Sequence, residues 1–277
     1  MLPPEELKSA YALMKLYQEN VRLKKKTIRK EISPYSTVDA TRKFLKRIRE
    51  NKVLFGPELW VNSGFVVELI KNGRRSSLTL FEKYKNDDHV TYVIACMGVH
   101  SLLAFRHGAS ILKNAICVTP SYPGEKKISD IELAEKGEIT RDEYPHNWND
   151  LDWSVFSCMK KNPGRSYGKV GGELGVSWVT VREHLKKILN DCKVSTSFYP
   201  KGYNYYQKAL LRFTTKYERN LWEELKKIDR SSFLYKYDDS ILLILFYEDY
   251  NDLKIFDILK KERKIKNVEL STPIAWD

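Results

Sequence analysis

Two segments of this chain carry arginine and lysine side chains at matching positions. Residues 181–188 and residues 41–48, which lie 140 positions earlier, both combine these bases with apolar residues three or four positions apart. This spacing predicts two helices, each with one buried stripe and one basic face. Guanidinium and ammonium groups bind phosphate, and arginine also recognises the edge of guanine. The pattern therefore predicts two helices that bind a polyanion.

The positive charge of the chain is concentrated around these two segments. The 277 residues have a net charge of +12. Residues 22–52 contain twelve basic and three acidic residues, and residues 160–193 contain eight basic and three acidic residues. These balances of +9 and +5 exceed the total, so the rest of the chain is slightly acidic. Two nucleic-acid-binding surfaces would give this distribution, and so would two solvated basic helices.

A second pair of similar segments, residues 113–120 and 266–273, extends the repeat. A period this long predicts duplication of a domain rather than a solenoid. In the second half, Gly175 supplies a tight turn and Ser177 can cap a third helix. Three short helices with a basic third one indicate a helix-turn-helix. The predicted helices cover about residues 150–161, 167–174 and 177–190, followed by a small wing at 193–202.

The remainder of the second half predicts a βαββαβ order, which is typical of a ferredoxin-like unit. Its strands are predicted at 203–214, 231–237, 240–247 and 267–271, and its helices at 217–228 and 251–261. The first half repeats this plan, with Thr37 at the cap position that matches Ser177. Its helices are predicted at 7–18, 24–32 and 78–84, and its strands at 59–70, 89–97 and 101–106. Too few residues separate Phe105 from Asn114 for a final helix, so that helix is truncated or missing.

These patterns predict an α+β fold with two winged helix-turn-helix modules, each followed by a ferredoxin-like unit, in a single-chain pseudo-dimer. The polar, proline-punctuated residues before the second module are typical of a linker, with one short helix near 130–136. The expected domains are helix-turn-helix 1 (1–56), ferredoxin-like unit 1 (57–120), the linker (121–147), helix-turn-helix 2 (148–202) and ferredoxin-like unit 2 (203–277).

Gly175, Val176 and Ser177, followed by residues 181–188, resemble the helix-turn-helix of the Lrp/AsnC (leucine-responsive, feast/famine) transcription regulators. Members of that family join a DNA-binding helix-turn-helix to a ferredoxin-like effector domain. An ordinary member carries one copy, so this chain resembles a family dimer fused head to tail. The resemblance implies binding to double-stranded DNA and regulation by a small effector, often an amino acid. No effector-binding motif of the family can be matched here.

The third helix of each half is expected to enter the major groove, with its first turn against base edges and its flanks against phosphates. Trp178 also lies on the apolar stripe, which favours a position in the core. Asp39 would repel phosphate, so the first copy is expected to clamp the backbone more than it recognises sequence. The predicted DNA contacts of the second copy are Ser177, Trp178, Val179, Thr180, Arg182, Lys186 and Lys187. Those of the first copy are Lys24, Lys25, Lys26, Arg29, Lys30, Thr37, Arg42, Lys43, Lys46, Arg47 and Arg49.

Signals for catalysis are poor, and we expect neither an enzyme nor a cofactor. Cys96, His100, His107 and Cys117 could suggest a metal site, but their spacing and strand setting favour buried residues. His184 has no second histidine four positions later, as a zinc-protease helix requires. Two alternatives remain: a nonspecific architectural DNA-binding protein and, less favoured, an enzyme similar to the sirohaem decarboxylases, which resemble Lrp/AsnC proteins in fold.

No apolar run reaches the length of a membrane span, and the first residues do not resemble a secretion signal. The four cysteines are scattered without disulfide or zinc-ribbon spacing, as in a reducing compartment. These features predict a cytoplasmic protein that does not bind membranes. Assembly of the pseudo-dimer into a further homodimer is left open.

Overall fold

A computed structural model describes residues 2–73, 75–107 and 112–277. It has an α+β architecture in which helices accompany antiparallel strands. Contacts divide the chain into two compact units. The first unit comprises Met1–Val61 and Pro145–Asn204, and the second comprises Asn62–Tyr144 and Tyr205–Asp277. Each unit therefore combines a segment from the first half of the sequence with one from the second, whereas the sequence suggested consecutive domains.

The element order repeats between the two halves. The helices are α1 (Pro4–Glu19), α2 (Lys25–Thr27, continued by a π-helical turn over Ile28–Ile32), α3 (Val38–Glu50), α4 (Ser77–Lys85), α5 (Asp150–Met159), α6 (Tyr167–Leu174), α7 (Trp178–Asp191), α8 (Glu218–Lys226) and α9 (Lys254–Lys261). The strands are β1 (Leu54–Trp60), β2 (Phe65–Lys71), β3 (Val90–Gly98), β4 (His100–His107), β5 (Leu112–Cys117), β6 (Lys193–Phe198), β7 (Gln207–Thr215), β8 (Phe233–Tyr237), β9 (Ser240–Tyr247) and β10 (Ile265–Trp276).

The first unit contains three helices and one strand from each half. Its predicted caps are confirmed: the Thr37 hydroxyl accepts a hydrogen bond from the Ala40 N–H, and the Ser177 hydroxyl accepts one from the Thr180 N–H. Gly175 ends α6 in the left-handed conformation, with φ of 68°. Because glycine has no Cβ, it adopts this conformation at little steric cost.

The close contact between α6 and the start of α7 depends on a second glycine. A Cβ at Gly171 would lie 2.6 Å from the Val176 carbonyl oxygen, which is too close for any side chain. At Gly172 a Cβ would meet no atom within 4 Å. Of these two neighbouring glycines, only Gly171 is required for the close packing of this helix.

The two halves of the first unit share a two-stranded antiparallel sheet. β1 pairs with β6, with Leu54 opposite Phe198 and Trp60 opposite Lys193. The predicted wing at 193–202 thus provides a strand that pairs with the other copy. The predicted strand at 59–70 was wrong, since this region forms the end of β1 and then β2, which lie in different units. Strand pairing between distant segments leaves no local signal, so the sequence did not indicate it.

The cores of the two copies in the first unit also interpenetrate. Leu59 of β1 and Val21 of the first copy pack into the apolar cluster formed by α5, α6 and α7. In the other direction, the Phe198 ring of β6 contacts Tyr11 of α1, with ring centroids 5.5 Å apart. Each copy therefore buries apolar surface of the other, which contributes stability in proportion to the area removed from water.

The second unit is built on one curled antiparallel sheet with strand order β2-β4-β3-β10-β7-β9-β8-β5. Within the second half, the order of elements is the predicted βαββαβ, from β7 to β10. In this sheet the first half supplies β2 to β5 and the second half supplies β7 to β10. The last strand of each half pairs with the second strand of the other half: β10 pairs with β3, and β5 pairs with β8. Curling brings the Phe105 ring of β4 against Tyr235 of β8, at 5.1 Å between centroids.

The first half lacks room for a helix equivalent to α9. Only four residues separate β4 from β5, and they lie outside the described residues. In the second half, α9 fills this interval and buries Ile255, Phe256 and Leu259.

The segment expected to be a linker packs against the second unit. Ile128, Ile131, Leu133 and Ile139 are buried in the same cluster as the inner faces of β7 and β9. The predicted short helix near 130–136 was wrong, because residues 131–136 are not helical and only a 3₁₀ turn at Ile128–Asp130 precedes them. The prolines and polar residues are typical of a linker. They are also compatible with an extended segment that is held to the sheet by a few buried apolar side chains.

Candidate nucleic-acid interface

The third helices, α3 and α7, bury corresponding apolar stripes. Phe44 and Ile48 of α3 are buried, and Leu185 and Ile188 of α7 are buried too. Ile188 lies 140 positions after Ile48, so these two residues occupy the same place in the two copies. Residues at this three- and four-residue spacing lie on one side of a helix. The opposite side of each helix is therefore free to carry the polar and basic residues. We call the outward faces of α3 and α7 the first and second heads.

Each head begins with an exposed apolar side chain. Val38 is 53% exposed, and Trp178, at the equivalent position, is 54% exposed. The expectation that Trp178 lies in the core was therefore wrong. The backbone of α7, including the Trp178 nitrogen, lies against Gly171, so it is the backbone and not the indole ring that packs on α6 at this point. Spacing alone could not reveal that the buried stripe begins only at Val181.

The second head holds its bases around one exposed carboxylate. Arg182 lies 2.8 Å from Glu183, and Lys186 lies 3.3 Å from the same carboxylate. Hydrogen bonds from Arg182 and then Lys186 lower the pKa of Glu183. The Arg182 guanidinium also stacks over the Trp178 ring at 5.3 Å. Since exposed ion pairs are weak, phosphates can compete for these bases.

Three more of the residues that were predicted to contact DNA lie at the start of the second head. Ser177 and Thr180 bond to each other through their hydroxyl groups at 2.8 Å, and Val179 is 39% exposed. A hydroxyl pair and an apolar side chain therefore stand beside the exposed indole. The hydroxyl groups can bond to base edges or to phosphate, whereas the apolar surface suits base edges.

The first head carries a denser set of bases. Arg42 lies 3.3 Å from Asp39, and Lys46 lies 3.5 Å from Glu50; all four side chains are at least 60% exposed. Lys43 is also exposed, and its charge adds to those of Arg42 and Lys46 along one face of the helix. Arg49 is exposed too, in the last turn of the helix.

The bases that precede the first head lie on and around the short second helix. Lys24, Lys25, Lys26 and Lys30 are exposed, and Arg29 is half-buried. Buried Ile28 anchors this turn to the core. The corresponding helix of the second copy, α6, contributes a single lysine, Lys169, to its exposed surface. The first copy therefore presents the greater positive charge.

Arg47 and Lys187, both expected to contact DNA, instead bond to buried acids. Arg47 of α3 forms an ion pair with Glu6 of α1, whose side chain is 2% exposed. Lys187 of α7, the equivalent position, forms one with Asp152 of α5, which is fully buried. We call these two ion pairs the carboxylate locks. They tie the third helix of each copy to its first helix, so these two bases have a structural role that the sequence did not reveal.

Hydrogen bonds keep both buried acids ionised. Burial raises the pKa of Glu6, but hydrogen bonds from Arg47 and Tyr35 outweigh it, so the pKa lies below its ordinary value of 4.5. Burial likewise raises the pKa of Asp152, but Lys187 and other donors outweigh it and bring the pKa below 3.8. One of those donors is His184, whose Nδ1 lies 2.6 Å from the carboxylate. This contact explains His184 without a metal.

Arg22 connects the two copies within the first unit. Its guanidinium donates hydrogen bonds to the carbonyl oxygens of Pro163 and Arg165, and it stacks over the Tyr167 ring at 3.9 Å. The sequence placed Arg22 only within the basic segment. Its partners lie more than 140 positions away, so no local signal could identify this contact.

The residues that raised a metal hypothesis lie in the sheet of the second unit. Cys96 is fully buried, and burial raises its pKa to about 12, which disfavours the thiolate that binds metals. His100 is 2% exposed and lies 3.4 Å from Glu269. The side chain of His107 lies outside the described residues. Among the side chains that the structure describes, no group of three or more His, Cys, Asp or Glu is placed to hold a metal.

A cleft of about 380 Å³ opens in the second unit. Arg212 and Glu269 at its wall lie 3.1 Å apart. The lining residues are Arg212, Phe213, Thr214, Ser240, Asn267, Val268 and Glu269. The cleft thus offers one cation, one anion and several hydrogen-bonding groups.

Comparison with family models, curated proteins and solved structures found no match for this chain. Across residues 2–73, 75–107 and 112–277, the helices are too short or too polar to cross a bilayer.

Proposed function

We propose that the protein is a sequence-specific DNA-binding transcription regulator whose two heads enter the major groove of one duplex. In this proposal, each three-helix segment is a helix-turn-helix, and the sheet of the second unit represents two ferredoxin-like units. The relationship to the Lrp/AsnC regulators belongs to the same proposal. It rests on residues 175–188 and on the order of elements.

One observation carries this proposal: α3 and α7, at equivalent places in the two copies, both present exposed faces with basic side chains on the same compact unit. Each buries one stripe and leaves its opposite face free, which is what insertion of a helix into a groove requires. The β1–β6 ladder and the Arg22 contacts join the two copies. Two joined heads favour sites whose halves are separated by one helical turn of DNA or a multiple of it.

The division of contacts follows from the chemistry of each side chain. Arg182 can bond to guanine through two parallel hydrogen bonds, and Val179 can contact the methyl group of thymine. Lys186 and Lys43 suit phosphates, which supply affinity without sequence information. Arg47 and Lys187 keep their carboxylate locks, so they hold the helices rather than the DNA.

The test is a duplex-binding titration by fluorescence anisotropy with the Arg182→Ala/Lys186→Ala variant. We expect affinity for a selected duplex to fall at least tenfold, about 1.4 kcal/mol. The salt dependence should also become shallower, by about 0.9 for each phosphate that the variant no longer neutralises. Lys260→Ala/Lys261→Ala is the matched control, since it removes the same charge from the exposed end of α9 in the other unit. Equal affinity and slope for both variants would contradict the proposal.

A second candidate, a nonspecific architectural DNA-binding protein, is favoured by the exposed lysines at 24–26 and 43. Competition between a selected duplex and random duplex separates the two candidates. A preference above about a thousandfold supports regulation, and a preference near one supports an architectural role.

The regulatory part of the proposal places a small effector of the amino-acid class in the cleft of the second unit. Arg212 and Glu269 support it, because an amino acid carries a carboxylate and an ammonium group. A screen of amino acids for a rise in melting temperature tests this part. Substitution of Arg212 by Gln should abolish any rise that wild type shows.

A further inference from the structure

The two heads differ at the positions that face outward, although their buried stripes correspond. We infer that the protein recognises a non-palindromic duplex, with two unlike half-sites and one fixed orientation. This inference rests on the proposed function and specifies its partner.

The differences lie on the outward faces, and three of the four lie in the first turn, where each head would meet base edges. Position by position, with a constant offset of 140, the first head has Val38, Asp39, Ala40 and Lys43 where the second has Trp178, Val179, Thr180 and Glu183. Two of these four pairs change the charge. The acidic Asp39 of the first head is equivalent in position to the apolar Val179 of the second, and the basic Lys43 is equivalent to the acidic Glu183.

The shared arginine is held differently in the two heads. Arg42 pairs with Asp39, one turn towards the start of the helix, at 3.3 Å. Arg182 pairs with its neighbour Glu183 at 2.8 Å and stacks on Trp178. The same side chain therefore has a different local partner in each head before DNA arrives.

These environments suit different bases. In the second head, Val179 and the exposed Trp178 offer apolar surface for thymine methyl groups. In the first head, Asp39 accepts hydrogen bonds, so it suits the amino group of cytosine and opposes carbonyl acceptors. One base sequence cannot satisfy both heads equally well.

The asymmetry is fixed because both heads belong to one chain. The β1–β6 ladder joins them through paired backbone groups, and Arg22 of the first copy bonds to carbonyl groups of the second. A symmetric dimer of identical chains presents the same head twice, and its operator shares that symmetry. Here the two heads are joined but unlike, so the favoured duplex has no two-fold axis and sets the direction in which the protein lies.

Selection of bound duplexes from random DNA with the full chain tests this inference. We expect the enriched site to contain two unlike halves. Duplexes carrying either half twice, as a palindrome, should bind at least about tenfold more weakly than the enriched site.

Single substitutions then assign each half to a head. Val179→Ala should change the preferred bases in one half only, and Asp39→Ala in the other half only. Both side chains are exposed, so folding should be unaffected, and circular dichroism checks this. The double change Val179→Asp/Glu183→Lys makes the second head resemble the first, and the two selected halves should become more alike.

The outcomes separate this inference from the proposed function. An enriched palindrome, or two substitutions that alter the same half, would overturn the inference and leave sequence-specific binding intact. Failure to enrich any sequence would overturn the proposed function and this inference together.

Discussion

The first and second copies of the three-helix segment agree in their interiors and differ on their surfaces. Both cap the third helix with a hydroxyl side chain, and both lock it to the first helix through a buried carboxylate. Their outward faces differ in charge, size and partner. Packing restricts which residues can occupy the buried positions of both copies, whereas the exposed positions are under no such restriction. Surface differences are therefore the place to look for unequal roles.

The second helix is the exception to the agreement between the two interiors. The second copy has an eight-residue helix that ends at a left-handed glycine, whereas the first has one short turn continued by a π-helical turn. Close approach of α6 to α7 depends on Gly171. The second copy thus depends on a glycine that its counterpart does not need.

A side chain at residue 171 should disrupt the packing of the second copy. Gly171→Ala should lower the free energy of unfolding by about 2–3 kcal/mol, because Gly171 is buried and its Cβ would clash with the Val176 carbonyl oxygen. Gly172→Ala is the control and should raise stability by about 0.5–1 kcal/mol, since its Cβ meets no atom and alanine favours helix. Urea unfolding measures both. Similar values for the two variants would show that α6 does not pack closely on α7.

Breaking the carboxylate locks should affect the two copies alike. Lys187→Met leaves Asp152 buried with one partner fewer and should cost about 1–3 kcal/mol of unfolding free energy. Arg47→Met should have a similar effect through Glu6. Lys186→Met, at an exposed neighbouring position, should change stability by less than about 0.5 kcal/mol. If the Lys187→Met variant were as stable as wild type and only bound DNA more weakly, Lys187 would be a DNA contact and not a structural residue.

The exposed lysines at 24–26 contribute to the greater positive charge of the first copy. Lys24→Ala/Lys25→Ala/Lys26→Ala should weaken DNA binding about tenfold at moderate salt and lower the salt slope by about 2–3, because each lysine that meets a phosphate releases counterions. Its preference among sequences should stay unchanged. Trp178→Ala should instead change the preference and leave the slope nearly the same. The reverse pattern would exchange the roles assigned to these three lysines and to Trp178.

The stability of both copies should depend on pH in the acid range. The pKa values of Glu6 and Asp152 are lowered by folding, so their contribution to stability is complete above about 4.5 and 3.8. It disappears as the pH falls through the lower folded values. Glu6→Gln and Asp152→Asn should each make stability less dependent on pH in the acid range. Unfolding measured between about pH 3 and pH 7 checks this, and a slope as steep as that of wild type would contradict it.

Local features of the fold could be predicted from sequence. Ser177, Thr37 and Gly175 identified helix boundaries, because capping and left-handed turns depend on the neighbouring backbone alone. The apolar stripes of α3 and α7 followed from spacing in the same way. The truncation after β4 was evident from a count of residues between similar segments.

Features that depend on distant partners could not be predicted. The pairing of β1 with β6, the Arg22 contacts and the carboxylate locks each join residues far apart in sequence. The same limit affected the candidate interface. In the sequence, Lys187 cannot be told from its basic neighbours, because only its buried partner Asp152 distinguishes it. Trp178 has the spacing of the apolar stripe of α7, and its exposure is evident only in the structure.

The β1–β6 ladder has a consequence for the synthesis of the protein. β1 ends at Trp60, but the strand that satisfies its backbone groups begins at Lys193. The ribosome must therefore release the whole intervening stretch, including more than half of the second unit, before the first unit can be completed. During that interval β1 is an unpaired edge, and such edges attract the wrong partners. Nascent chains halted before residue 193 should thus be the forms of this protein most in need of a chaperone.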